Sequence, residues 1–367
     1  MTTVQQVINL MEELAPRSYA ESWDNVGLMV GDRNSVVTGV LTTLDVTEET
    51  ISYAIEHDYN LIISHHPLIF KGVKQLSCDT AQGRMINNLI QHKIAVYSAH
   101  TNLDIAPGGL NDMLAEQLGL IDVKGFIKTG EEALYKVTTF VPENAADAIR
   151  HAMGAAGAGK IGNYEYCSFS IHGEGRFIGN EDSNPVIGEA GALTVAPEVQ
   201  VNAVVDSTHL SQVVEAMKAA HPYEEIAYEV VSLVEPKGST QYLGRIGRLP
   251  NALNLDTFRE WMQEALPEAN IRFAGVAPKE IQSIALCSGA GAEFIKNAAR
   301  LHVDAYVTGD VKYHDAQLAK ELGLLVVDAG HFGTEFIVAR GLCDYLLSKD
   351  LSVPMKAFTE QNDFFFL

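Results

Sequence analysis

The stretch NLIISHHP, residues 60–67, decides the fold. Its short apolar run ends directly in His65, His66 and Pro67, so two imidazoles stand at the carboxyl end of an expected strand of a parallel sheet. Ligands of open α/β sheets gather at that edge. Side chains of neighbouring residues diverge in an extended chain, and Pro67 biases His66 towards that geometry. Two adjacent imidazoles then serve two ions more naturally than one. Taken alone, the pair reads equally as hydrogen-bonded or surface histidines.

Outward from this run the pattern repeats. VVTGVLTTL at 36–44, a helical pattern near 47–57, another near 81–92 and IAVYSA at 94–99 alternate strand with helix. That alternation implies βαβ units and a mostly parallel sheet. The far end alternates likewise, with a helix near 255–266, IQSIALC at 281–287, a helix at 291–300, DAYVT at 304–308, a helix at 313–322, LLVVD at 324–328 and one long helix from about Gly333 to Leu347. Between them LYKVTTFVP, a helix at 143–155, YEYCSFSI, VQVNAVV, a helix at 208–220 and IAYEVVSL follow in the order β-α-β-β-α-β, which is ferredoxin-like. The expected class is α/β: two α/β halves, residues 1–125 and 240–367, form one metal-binding domain interrupted by an inserted domain at 126–239. No internal repeat is legible in the residues themselves.

Composition narrows the function. With 47 acidic against 26 basic side chains the formal net charge is −21, a field that repels a phosphate backbone, so nucleic acid is not an expected partner. The four cysteines are widely spaced and form no C-x-x-C pair, as in a reduced intracellular protein. Val4, Val7, Ile8, Met11 and Leu14 recur at helical spacing, unlike a signal peptide, and no window is apolar enough to span a bilayer. The expected location is the cytoplasm.

Two further sheet edges bear chemistry. SAHTNLD places His100 and Asp104 after the strand IAVYSA; the carboxylate is either a ligand or a turn former, and the imidazole either a ligand or an orienting neighbour. In LLVVDAGHFGTEF, His331 and Glu335 stand four apart at a helix start and so share a face. Joined, His65, His66, Asp104, His331 and Glu335 give three imidazoles and two carboxylates, a set suited to zinc, iron or manganese. Five ligands exceed one tetrahedral zinc. If a carboxylate bridges, two divalent ions share them at about 3.5–4 Å, and water bound there has its pKa lowered towards 7, which makes hydroxide available for hydrolysis. Asp310 and His314, after another strand, read as general acid or base or as helix caps. Ser288 to Gly291 read as a phosphate-receiving turn or, more simply, as turn chemistry. The turn at Trp23, Asp24 and Asn25 reads as structural.

WDNVGL near the start, SHHP, SAHTNLD, VTGD with a following histidine, and DAGHFGTE together resemble the GTP cyclohydrolase I type 2 family, the Nif-three-like dinuclear metal-centre proteins. The insert, through GKIGNYEYCSF and HPYEE, resembles the CutA-like or PII-like domain of longer bacterial members. The resemblance implies a metal pair on the same five residues and a ring-shaped homohexamer whose inserts gather in threes. It also implies a nucleotide substrate: water adds to C8 of the guanine of GTP, the ring opens, and formate leaves dihydroneopterin triphosphate. His314 or His100 would then shuttle the proton. Phe364 to Leu367 suit either a subunit contact or a core edge. The competing readings are a metal-dependent nucleotide phosphoesterase and a non-enzymatic ring that handles metal or regulates; formate against phosphate release separates the two enzymes.

Overall fold

The computed structural model describes residues 1–236 and 238–359. Phe364 to Leu367 lie outside the described residues. The chain divides into two compact units, Met1–Thr129 with Gln241–Leu367, and Gly130–Thr240.

The first unit begins with α1 (Val4–Leu14), whose start is fixed by a capping box between Thr3 and Gln6 and whose apolar face buries Val4, Val7, Ile8 and Met11. It continues through β1 (Gly27–Val30), β2 (Val40–Thr43), α2 (Glu48–Glu56), β3 (Leu61–Ser64), α3 (Ala81–Gln91), β4 (Ala95–Ser98), α4 (Thr101–Ile105) and α5 (Leu110–Gln117). β2, β3 and β4 pair in parallel, and β1 closes the far side antiparallel to β4. Every residue of β2, β3 and β4 is buried, which is why these runs are near-continuously apolar instead of alternating.

After β5 (Ile121–Glu131) comes the second unit: β6 (Leu134–Pro142), α6 (Ala146–Ala155), β7 (Phe169–Ile178), β8 (Leu193–Asp206), α7 (Leu210–Ala220) and β9 (Tyr228–Ser232). Its strands pair antiparallel in the order β7-β8-β6-β9. Val137, Val141, Val199, Val201 and Val205 of the sheet share a core with Ile149, Met153, Val213 and Met217 of the helices.

The chain re-enters the first unit on β10 (Thr240–Leu253) and runs through α8 (Leu255–Ala265), β11 (Arg272–Gly275), β12 (Ile281–Leu286), α9 (Ile295–Arg300), β13 (Ala305–Thr308), α10 (Tyr313–Glu321), β14 (Leu325–Asp328), α11 (His331–Glu335), α12 (Val338–Leu347) and β15 (Met355–Ala357). The long final helix expected from Gly333 is instead two helices. The Thr334 hydroxyl donates back to the carbonyls of Gly330 and His331, at 3.0 and 2.9 Å, and such back-bonding bends a helix.

This topology contains a repeat that the residues conceal. α1-β1-β2-α2-β3-α3-β4-α4 is matched by α8-β11-β12-α9-β13-α10-β14-α11. The two sheets, β1-β4-β3-β2-β15 and β11-β14-β13-β12-β10-β5, share the same centre: three parallel strands with an antiparallel strand beside the third. One core, running from Val4, Leu61 and Tyr97 to Ile284, Val327 and Leu342, joins both halves. No helix among the described residues is long and apolar enough to cross a membrane.

Candidate metal centre

The repeat puts equivalent short helices after β4 and β14, and each presents an imidazole and a carboxylate four residues apart: His100 with Asp104, and His331 with Glu335. β3 adds His65 and His66 directly behind its last residue. His65 is fully buried, and Glu335 is 3% exposed.

Glu335 joins the halves. Its Oε1 lies 3.8 Å from His65 Nε2, while its Oε2 lies 3.0 Å from His66 Nε2 and 3.1 Å from His331 Nε2. Asp104 Oδ1 lies 3.7 Å from His65 Nε2. Three overlapping sets of donors each fall within 4.8 Å: His65, His66 and His100; His66, His331 and Glu335; His65, Asp104 and Glu335. All five expected ligands, with His100, therefore meet at one place.

Each imidazole is held from behind. Nδ1 of His65 donates to the Ala99 carbonyl at 2.8 Å, His66 to Asp45 at 2.8 Å, His100 to Asp24 at 2.9 Å and His331 to Asp310 at 2.9 Å. Such partners fix the ring and turn Nε2 towards the centre. Asp310 thus stands behind His331. His314 is exposed on α10 with Nδ1 against Gln317, and it is not among the converging donors. Two supporting carboxylates escaped sequence reading. Asp45 follows β2, and the edge argument applied to the other strands would have found it. Asp24 sits in the WDN turn that read as structural, and no local signal connects it to His100.

Charge is concentrated here. Burial lowers the pKa of His66, yet Asp45 and Glu335 push it up to about 10; Glu335, opposed by burial and aided by Asp310, lifts His331 to about 9. Burial opposes protonation of His65 as well, and Asp104 and Glu335 overcome it. Burial would raise Glu335, but His331, His65 and His66 hold it well below the usual carboxylate range. Asp104 moves up instead, through burial and the charge of Glu335 against His65. Burial likewise works against Asp24, and its hydrogen bonds from His100 and Thr101 bring it down to about 2.

The glycine-rich turn after β12 has a packing role. Backbone amides of Ser288, Gly289 and Gly291 donate to Asn111, Thr334 and Thr308, so they are already engaged within the protein. Gly289 has φ +62°, and a Cβ there would stand 2.3 Å from Glu335 Oε1; glycine leaves the room in which that carboxylate lies. A cavity of some size lies elsewhere. About 1050 Å³ opens within the second unit beside Phe140, Ile171, Glu198 and Tyr223, and none of the clustered imidazoles lines it. Donor chemistry, not volume, marks the centre.

The donors fit divalent cations. His65 Nε2 is a buried ring nitrogen without a hydrogen-bond partner, aimed between two buried carboxylates. Leaving such an atom unmatched is costly unless something of opposite character completes it. Imidazole and carboxylate together suit zinc, iron or manganese.

Fold and cluster define a mixed α/β protein with a buried histidine and carboxylate centre at the meeting of two sheet edges. The chain belongs to the Duf34/NIF3 (NGG1p interacting factor 3) family, whose model matches residues 2–363. It is similar to a GTP cyclohydrolase 1 type 2 homolog of Halalkalibacterium halodurans, 42% identical over 342 residues, 93% of this chain and 91% of that protein. A protein of the same description from Bacillus subtilis is 40% identical over 361 residues, 98% of this chain and 96% of that one. The crystal structure of a Bacillus cereus protein related to NIF3 has a TM-score of 0.85 and 38% identity, and covers 100% of this chain and 99% of that chain.

Proposed function

We propose that this protein is a hydrolase dependent on two divalent cations, which are zinc, iron or manganese, acting on a nucleotide, with GTP as the first substrate to test. The observation that carries the reading is His65 Nε2, buried and unpartnered between Asp104 and Glu335. In this reading His65, His66, Asp104, His331 and Glu335 would hold the cations, and the two oxygens of Glu335 face different imidazoles. Cations so held lower the pKa of a coordinated water towards neutrality and polarise the group it attacks.

The remaining chemistry belongs to the chain. Asp45, Asp310 and the Ala99 carbonyl keep the ligand rings in the tautomer with Nδ1–H. Asp24 does the same for His100, whose Nε2 is left as a proton acceptor beside the reacting atoms. In this reading His100, ahead of His314, shuttles the proton. The relatives' description as cyclohydrolase homologs supports opening of the guanine ring at C8 with release of formate. The same reading takes Gly130–Thr240 as a ferredoxin-like insert and the assembly as a homohexamer with the inserts in threes.

The test is metal per chain, with formate and phosphate release from GTP, for wild type, His66→Ala and Glu335→Gln. Formate from wild type alone supports the proposal. An equal low rate in all three removes it, and phosphate in place of formate moves the protein to the phosphoesterase class.

A further inference from the structure

Trp23 lies 59% exposed and Phe70 44% exposed, next to a centre whose His65, Asp104 and Glu335 are buried. Their ring centroids are 5.9 Å apart with planes at 54°, so they form an open wedge, not a closed stack. Trp23 also meets the His100 ring edge-on at 6.2 Å, and His100 stands 5.1 and 5.7 Å from the rings of His65 and His66. The wedge therefore begins at the rim of the centre.

Its position is fixed by its neighbours in sequence. Asp24 accepts hydrogen bonds from the Thr101 amide, the Thr101 hydroxyl and His100 Nδ1, at 3.1, 2.6 and 2.9 Å. Asn25 donates its side-chain amide to the Ile69 carbonyl, immediately before Phe70. One turn thus ties the centre to the loop that carries Phe70, while the indole just before these anchors stays largely exposed. Exposing that much apolar surface beside a reaction centre is unfavourable unless a ligand covers it. Aromatic faces accept the face of any planar base, and that stacking is worth a substantial share of affinity.

We propose that Trp23 and Phe70 form the ring-binding subsite of this centre and take the face of a planar heteroaromatic ring, a purine or a pterin. The proposal rests on the functional reading above for the location of the chemistry. Binding itself requires no turnover.

The chain has two tryptophans, so Trp261→Phe leaves Trp23 as the only indole, and phenylalanine keeps the stack of residue 261 on Phe258. Metal-loaded protein is titrated with GTP and with neopterin, and inorganic triphosphate serves as the ringless control. The two ring compounds quench Trp23 and triphosphate does not. Trp23→Ala weakens GTP roughly 5- to 150-fold and leaves triphosphate unchanged, and Trp23→Phe loses less. Calorimetric titration of Trp23→Ala and Phe70→Ala in the otherwise unaltered chain gives the same comparison without Trp261→Phe. The subsite is overturned if neither ring compound quenches, if GTP affinity is unaltered in Trp23→Ala, or if Trp23 in ligand-free protein is shielded from acrylamide by a second copy of the chain. A protein that binds GTP through Trp23 but releases no formate refutes the cyclohydrolase reading alone. One that releases formate with unchanged KM in Trp23→Ala refutes the subsite alone.

Discussion

The two halves of the first unit are built to one plan and equipped differently. After β3 the first half carries two histidines, His65 and His66, while the equivalent place after β13 holds Asp310, with φ +55°. After β4 and β14 both halves repeat an imidazole and a carboxylate four apart, and all four side chains reach the same cluster. Among the described residues, Glu335 is the carboxylate that faces imidazoles of both halves. The difference teaches how a duplicated plan makes an asymmetric site: both sheet edges supply the same kind of platform, and a few substitutions at equivalent positions divide the work between ligand and support.

The largest effect should come from removing the charge of that carboxylate. Glu335→Gln removes the charge that three imidazoles face, and metal affinity should fall by more than the 10- to 100-fold expected of an outer partner, read as metal per chain after dialysis. Retention of both ions would mean that the halves are not joined through this carboxylate. Acidity should have the next effect. His66 and His331, raised to about 10 and about 9, carry protons at neutral pH that a cation must displace. Affinity should therefore climb by about tenfold per pH unit for each proton released, and level off only above pH 9 to 10. A competition titration with a chelator that is already flat from pH 7 would contradict this.

The supporting carboxylates sharpen the comparison. Asp45→Asn and Asp310→Asn should each lower metal affinity by roughly 10- to 100-fold. The first should cost more, because its imidazole, His66, is 25% exposed in its side chain against 37% for His331, and water replaces the lost partner less well. The reverse order would place the weight on the second half. The smallest effect tests the plan itself. Thr3 caps α1 and Asn254 caps α8, so Thr3→Ala and Asn254→Ala should each destabilise the unit by about 1 kcal/mol in urea titrations, and grossly unequal losses would argue that the helices are not equivalent.

Much of this is legible in the chain alone. Apolar runs buried on both faces announce themselves, and a ligand at the end of such a run, as at His65 and His66, is read from the strand that delivers it. His331 and Glu335 are visible because helical spacing makes them neighbours. Asp24 is not, since it reaches His100 from a turn 76 residues away in the chain, and nothing local to WDN states that destination. The repeat is hidden for a related reason. A plan of strands and helices is specified by pattern, so two halves can share it with few residues in common beyond the imidazole and its carboxylate four places on. The break between α11 and α12 falls beside a hydroxyl that bonds back within its own helix, a choice that helical periodicity does not encode.

β5 and β10 are hydrogen-bonded neighbours at the edge of the second sheet, and between them the chain makes its whole excursion through Gly130–Thr240. To the host sheet that folded body is an overgrown turn, entered and left through one stem. A body held by one such stem is expected to tolerate changes of length and content with little effect on the sheet that carries it.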